Sequence, residues 1–180
     1  MRLANALDRV LVYDPKGDDP EVLLPNATRV WGVDAARKAL PGRVIYHPTA
    51  RELADPALHF DRLVEKIWSG GGHHGIVVNE TCDVGDAMHG FRTWLSVACR
   101  QGRGRAVTRI FCSQRPVSDV PRLAISETKH YVAFFLQDED DRRRLAKYMG
   151  PEVVERQEFN HDYWYCGRGS AMRAVRCSAI

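Results

Sequence analysis

Short apolar runs and amphipathic stretches alternate along the chain. Residues 9–14 (RVLVYD) form a β-branched and aromatic run closed by Pro15 and Gly17, which predicts a buried strand. The residues before it, 3–7, carry the pattern of a helix end. Residues 43–46 (RVIY) predict a second strand ending at Pro48, with a short helix over 34–40 between the two. Asp55-Pro56 predicts a helix start, a capping carboxylate followed by proline at the first helical position. Phe60, Leu63, Val64, Ile67 and Trp68 then recur at helical spacing and make one apolar face, which Gly70-Gly71-Gly72 ends. Residues 76–78 predict the next buried strand, running into Asn79-Glu80. The pattern over 86–101 predicts a helix with Met88, Phe91, Leu95 and Ala98 on one side. Strands follow over 107–113 and 131–136, and then a charged helix over 138–148. Beyond Gly150-Pro151, residues 159–166 and 171–178 predict a hairpin around Gly167-Arg168-Gly169. Residues 126–128 are read as a turn. No internal repeat is present.

Strands alternating with helices predict an α/β domain with a mainly parallel sheet. In such sheets chemistry gathers at the carboxyl ends of the strands. That rule singles out Asp14-Pro15-Lys16, Asn79-Glu80, Ser113-Gln114-Arg115 and Gln137-Asp138.

Composition narrows the class. A length of 180 residues suits one domain or one domain with a small appendage. No apolar run approaches the ~20 residues that cross a bilayer, and residues 1–8 do not form a secretory signal. Five cysteines with no C-x-x-C pair suggest neither a disulfide framework nor a zinc ribbon, so the expected location is a reducing cytoplasm. Cys82 and Cys112, beside buried strands, are expected to be core thiols, and no motif supports a Cys-His nucleophile. His73-His74 lacks a third ligand at helical spacing and reads as a loop pair.

The net charge is only +3, but it is unevenly spread. Between Arg92 and Arg122 stand seven arginines and one acid, Asp119, a local balance of +6 that suits phosphate as a partner. A solvated helix face plus loop gives the same pattern.

The strand ends carry the candidate chemistry. An apolar strand ending in Asn79-Glu80 has the form of a Walker B segment: a polar residue near Mg²⁺, then a carboxylate to polarise water. A lone carboxylate there also serves as a helix cap. Gln114, at the end of another strand, offers an uncharged amide that senses a γ-phosphate or orients water, or closes a turn.

With these residues in place, the stretch from Ile76 to Met149 (IVVNE, then ACRQGRGRAVTRIFCSQRPVSDVPRLAISETKHYVAFFL) resembles the FtsK–HerA superfamily of P-loop DNA-pumping ATPases. The earlier VLVYDPKGD resembles the family's second strand. The likeness covers roughly residues 3–149, weakly over 20–60, and Ser113-Gln114-Arg115-Pro116 with its upstream arginine is its most specific part. It implies a RecA-like core over residues 1–150, without its P-loop strand, and a C-terminal hairpin appendage over 151–180. It further implies ATP hydrolysis assisted by Mg²⁺, translocation of double-stranded DNA and a homo-oligomeric ring. Catalytic roles fall to Glu80, to Gln114 as γ-phosphate sensor and to Arg103, eleven residues before Gln114, as a finger acting in a neighbouring subunit. Asn79 and Asp14 would serve nucleotide and metal, and Arg100, Arg105 and Arg109 would serve nucleic acid. An exposed basic turn is the alternative for these arginines.

Two departures matter. No G-x-x-x-x-G-K-[ST] loop occurs: residues 70–75 (GGGHHG) and 167–170 lack the lysine, and the former precede a strand. The expectation is therefore a core truncated before the Walker A motif, with the P-loop strand missing between the Gln114 strand and the 131–136 strand. Such a chain alone is expected to hydrolyse ATP negligibly. The second departure is Asn79, where the family usually has Asp, which weakens Mg²⁺ binding unless Asp14 or Asp83 compensates. The rival reading is a non-hydrolysing remnant of the fold that binds nucleic acid or a motor partner.

Overall fold

The computed structural model describes residues 7–17, 24–154, 162–167 and 174–177. Five strands, β1 (Val10–Tyr13), β2 (Thr28–Trp31), β3 (Arg43–His47), β4 (His74–Val78) and β7 (Val107–Phe111), form one parallel sheet. Their order is β2-β3-β1-β4-β7. The unbroken apolar runs of β1 and β4 put them at its centre, where every residue of both is buried.

The pleat sorts their side chains into two cores. On one face Leu11, Tyr13, Val44, Tyr46, Ile76 and Val78 meet three helices: α1 (Val33–Ala39), α2 (Pro56–Gly70) and α4 (Thr93–Gln101). On the other, Val10, Val12, Ile45 and Val77 pack with Leu24. The α2 helix begins as its sequence predicts. Asp55 accepts the Leu58 N–H at 3.1 Å, Pro56 opens the helix, and Phe60, Leu63, Val64 and Ile67 are buried. At its other end Gly71 turns the chain out at φ 64°.

A one-turn helix, α3 (Thr81–Val84), follows β4, and a two-stranded ribbon, β5 (Gly85–Asp86) with β6 (Gly90–Phe91), precedes α4. This corrects the helix expected over 86–101. The Asp86 carboxylate accepts the Met88 and His89 N–H groups, each at 2.7 Å, and so withdraws them from helical bonding. Gly90 then sits at φ 74°. Met88, expected on the apolar side, is 86% exposed. At Gly85 a Cβ would meet the Phe91 ring at 2.4 Å, so close approach of the ribbon strands requires glycine there.

After β7 come two short helices, α5 (Pro116–Asp119) and α6 (Arg122–Glu127), the latter taking up part of the expected turn at 126–128. The next strand, β8 (His130–Ala133), is shorter than the expected 131–136. The helix α7 (Glu139–Met149) starts at Asp138, whose carboxylate accepts the Asp140 and Asp141 N–H groups. The predicted hairpin is present as β9 (Tyr163–Gly167) against β10 (Val175–Cys177). Its β9 strand also pairs antiparallel with β8, so a second sheet of order β10-β9-β8 forms over α7. The expected helix at 3–7 falls almost wholly outside the described residues.

β8 does not pair with β7. Cys112 donates its N–H to Val78, and Ala106 accepts from His74, so the even-numbered peptide groups of β7 face β4. By alternation the Arg109 and Phe111 N–H and C=O groups point the other way, where no backbone partner occurs among the described residues. The sheet therefore has an open edge at β7. Past Val107, the β7 residues are only half-buried, unlike those of β1 and β4.

Candidate functional site

The carboxyl ends of β1, β4 and β7 bring Asp14, Asn79-Glu80 and Ser113-Gln114 to one end of the sheet. Register fixes this: Tyr13 lies opposite Val78, and Val78 opposite Phe111. The Asn79 N–H still donates to Tyr13, at 3.2 Å, so the ladder runs one residue past the strands. Thr81 ties the next step. Its N–H and its hydroxyl both donate to the Cys112 carbonyl, at 3.1 and 2.7 Å, and its side chain is fully buried. Glu80 is thereby held one residue from a fixed point on the chain that carries Gln114. Asn79 and Glu80 are half-buried and Gln114 is exposed, so all three are reachable from solvent at this end.

Two pairs at this end join residues too far apart in the chain for the sequence to relate. Lys16, in the turn after β1, forms a salt bridge with Glu80. Tyr13 donates its hydroxyl to Asp83 at 3.0 Å. Burial, then the Asp83 charge, raise the Tyr13 pKa far above its ordinary value, so it remains a donor that fixes Asp83.

Asp14 is 2% exposed. Its Oδ1 accepts the Gly17 N–H at 3.2 Å, while its Oδ2 is buried with no hydrogen-bond partner. His47 approaches, but its Nδ1 is 2.8 Å from the Asp14 carbonyl and 3.7 Å from Oδ2. An orphaned carboxylate oxygen on Asp14, which the strand register sets next to Asn79, fits a divalent ion held mostly by water and phosphate oxygens, the usual habit of Mg²⁺. No cluster of three or more His, Cys, Asp or Glu able to cage a metal occurs among the described residues.

The arginines lie elsewhere. Residues 102–105 turn just before β7, at the amino end of the sheet, a strand length of about 16 Å from Gln114. Arg103 and Arg100 are exposed. Arg105 stacks over the Trp68 ring, 4.6 Å from its centroid, and donates to the Trp68 carbonyl. Arg109 is half-buried and donates to the Ala98 carbonyl near the end of α4. Arg103 therefore cannot reach Glu80 of its own chain, while Arg105 and Arg109 have partners within the fold.

Cys82 and Cys112 are exposed, not the core thiols expected. Desolvation on its inner side, then the Asp83 and Asp119 charges, push the Cys82 thiol up, opposite to the shift an attacking thiolate needs. His74 is buried where a loop residue was expected, with Nδ1 3.1 Å from the Gly72 carbonyl.

No protein-family model matches the chain, and no curated protein matches it. Solved structures do. The genome packaging NTPase B204 from Sulfolobus turreted icosahedral virus 2, in complex with sulfate, aligns with a TM-score of 0.75 at 11% identity, over 100% of this chain and 86% of that one. Its AMP complex aligns with a TM-score of 0.72 at 12% identity, over 96% of this chain and 83% of that one. Its AMPPCP complex gives 0.69 at 11% identity, over the same shares. At such identity the likeness is one of fold, and the fold is that of a P-loop NTPase: a central parallel five-stranded sheet flanked by helices, with an antiparallel hairpin after it.

Proposed function

We propose that this chain is the RecA-like core of a DNA-translocating ATPase of the genome-packaging kind, in the FtsK–HerA style. The observation that carries the reading is the placement of Glu80 and Gln114 at neighbouring strand ends, stitched together through Thr81 and Cys112. A packaging NTPase with the same fold supports it. Glu80 polarises the water that attacks the γ-phosphate in line, and Gln114 senses that phosphate. Asn79 and Asp14 would hold the water shell of a Mg²⁺ ion, which would supply positive charge against the phosphates. Arg103 serves the nucleotide of a neighbouring subunit in a ring, and the exposed Arg100 belongs to the surface that meets duplex DNA. Arg105 and Arg109, engaged within the fold, contribute to the basic field there more than to direct contacts.

A phosphate loop is the part these residues do not supply. The open edge of β7 fits a further parallel strand, whose carboxyl end would deliver such a loop beside Gln114 and Glu80. Residues 1–180 alone are therefore expected to turn over ATP negligibly. A polypeptide that adds a strand and G-x-x-x-x-G-K-[ST] ahead of residue 1 should show Mg²⁺-dependent turnover. Glu80→Gln should cut that turnover by at least ~10²-fold. Turnover indifferent to this substitution sinks the reading.

One observation favours the rival, a non-hydrolysing remnant: the Lys16 ammonium sits on the carboxylate that hydrolysis needs. If the extended polypeptide binds ATP but Lys16→Ala and wild type alike fail to hydrolyse it, the remnant reading takes over.

A further inference from the structure

Strand alternation divides the aromatic triplet Tyr163-Trp164-Tyr165 between the two faces of the antiparallel sheet. Trp164 turns inward with Ala133, Cys166, Leu145 and Met149 over α7. Outward, the register aligns Val132, Tyr165 and Val175 in one row across all three strands. They are 53%, 38% and 60% exposed. Phe134, 61% exposed, meets the Tyr163 ring at 5.6 Å, and His130 stacks on Tyr165 at 6.1 Å. The Tyr165 hydroxyl lies 2.8 Å from His130 Nδ1, which holds that ring along the sheet.

A sheet that leaves this much aromatic surface in water has a use for it. The charge around it indicates which. Residues 128–136 and 162–180 hold four cations, Lys129, Arg168, Arg173 and Arg176, against one acid, Asp162, which pairs with Arg176, so the balance is +3. The acidic run Glu139, Asp140 and Asp141 sits on α7, against the opposite face. An aliphatic protein interface would not call for paired flat rings within a stretch of net positive charge. Bases stack on such rings while cations attract the phosphates between them.

We propose that the outward face of the β10-β9-β8 sheet, centred on Tyr165, Tyr163, Phe134 and His130, is a stacking platform for the bases of single-stranded nucleic acid. The platform is independent of nucleotide hydrolysis and lies outside the Glu80–Gln114 site. It takes bases with open faces, so a duplex of the same sequence is the poorer ligand.

The test uses the whole chain and a fluorescently labelled fifteen-residue oligothymidylate, read by anisotropy at low salt. Binding should weaken tenfold or more in the double variant Phe134→Ala, Tyr165→Ala, with the melting temperature little changed because both side chains face solvent. On the wild type, an oligonucleotide carrying 5-iodouracil should photo-crosslink to the 130–136 or 163–167 segments, a readout that needs no variant. Equal affinity for single strand and duplex, crosslinks confined to other segments, or undiminished binding by the double variant would each overturn the proposal. So would a chain that ignores the oligonucleotide but self-associates in sedimentation, with the double variant monomeric, since the face then serves a second copy.

Discussion

The two larger sheets of the described residues meet water on opposite terms. In the parallel sheet the two central strands bury every residue, and helices or loops cover both faces. In the antiparallel sheet one face lies on α7 and the other is open. The first behaves as a scaffold, where a side chain matters through what it fills. The second behaves as a surface, where a side chain matters through what it can meet. The candidate hydrolytic residues stand at the end of the scaffold, where register fixes them. The aromatic rings stand on the surface, where they can be exchanged without touching the core.

The sharpest break of that contrast is a pair of truncations. Phe60 is fully buried against Tyr13, ring centroids 5.3 Å apart. Phe60→Ala should cost about 3–5 kcal/mol in urea unfolding. Val132→Ala, on the open face, should fall within about 0.5 kcal/mol of wild type. Equal costs would erase the distinction between the two sheets.

A second test addresses how the scaffold treats polar groups. Glu52 is buried and accepts the Val33 and Thr49 N–H groups at 2.7 and 2.8 Å, with the Tyr46 hydroxyl 3.3 Å away. Glu52→Ala strands those donors and should cost about 2–3 kcal/mol. Burial alone would push the Glu52 carboxyl up, but the Thr49 and Val33 N–H groups outweigh it and hold the pKa below its ordinary value. The folded chain then binds this proton more weakly than the unfolded chain. Its contribution is complete above the unfolded value of about 4.3 and fades as pH falls through the lower folded value. Urea midpoints of wild type and Glu52→Gln between pH 3 and 7 should converge at the acid end. Parallel profiles would show that Glu52 is not the group responsible.

The smallest effect concerns the entrance to the open edge. Ala106, just ahead of β7, sits at φ 54°, a conformation that suits glycine. Ala106→Gly should raise stability by up to about 1 kcal/mol in the same unfolding experiment. A loss would mean that Ala106 makes a contact worth more than its backbone strain.

Legibility in the sequence followed the same divide. β1, β4 and α2 announce themselves because the buried parallel strands are unbroken apolar runs and Asp55-Pro56 is a local cap. β2 has no such run: Thr28 and Trp31 are exposed at the sheet's edge, and it goes unpredicted. The β5–β6 ribbon is hidden because Asp86 and Gly90 interrupt a pattern whose apolar spacing is still helical. The hairpin was readable, but its pairing with β8 was not, since residues over thirty positions apart meet there. At the candidate site, Asn79, Glu80 and Gln114 are legible as strand ends, one position each. Lys16 on Glu80, and the engagement of Arg105 and Arg109, depend on contacts that no local spacing encodes.

The separation of Arg103 from Glu80 along β7 has a consequence for populations rather than single molecules. If each nucleotide is served by Glu80 of one subunit and Arg103 of the next, two defective proteins can repair one another. Glu80→Gln and Arg103→Ala chains, each inactive alone in the extended form, would create some intact junctions when mixed. A titration of one into the other should then trace a hump, with activity highest near equal parts and absent at both ends. Were both residues to serve the same chain's nucleotide, the line would stay flat at every ratio.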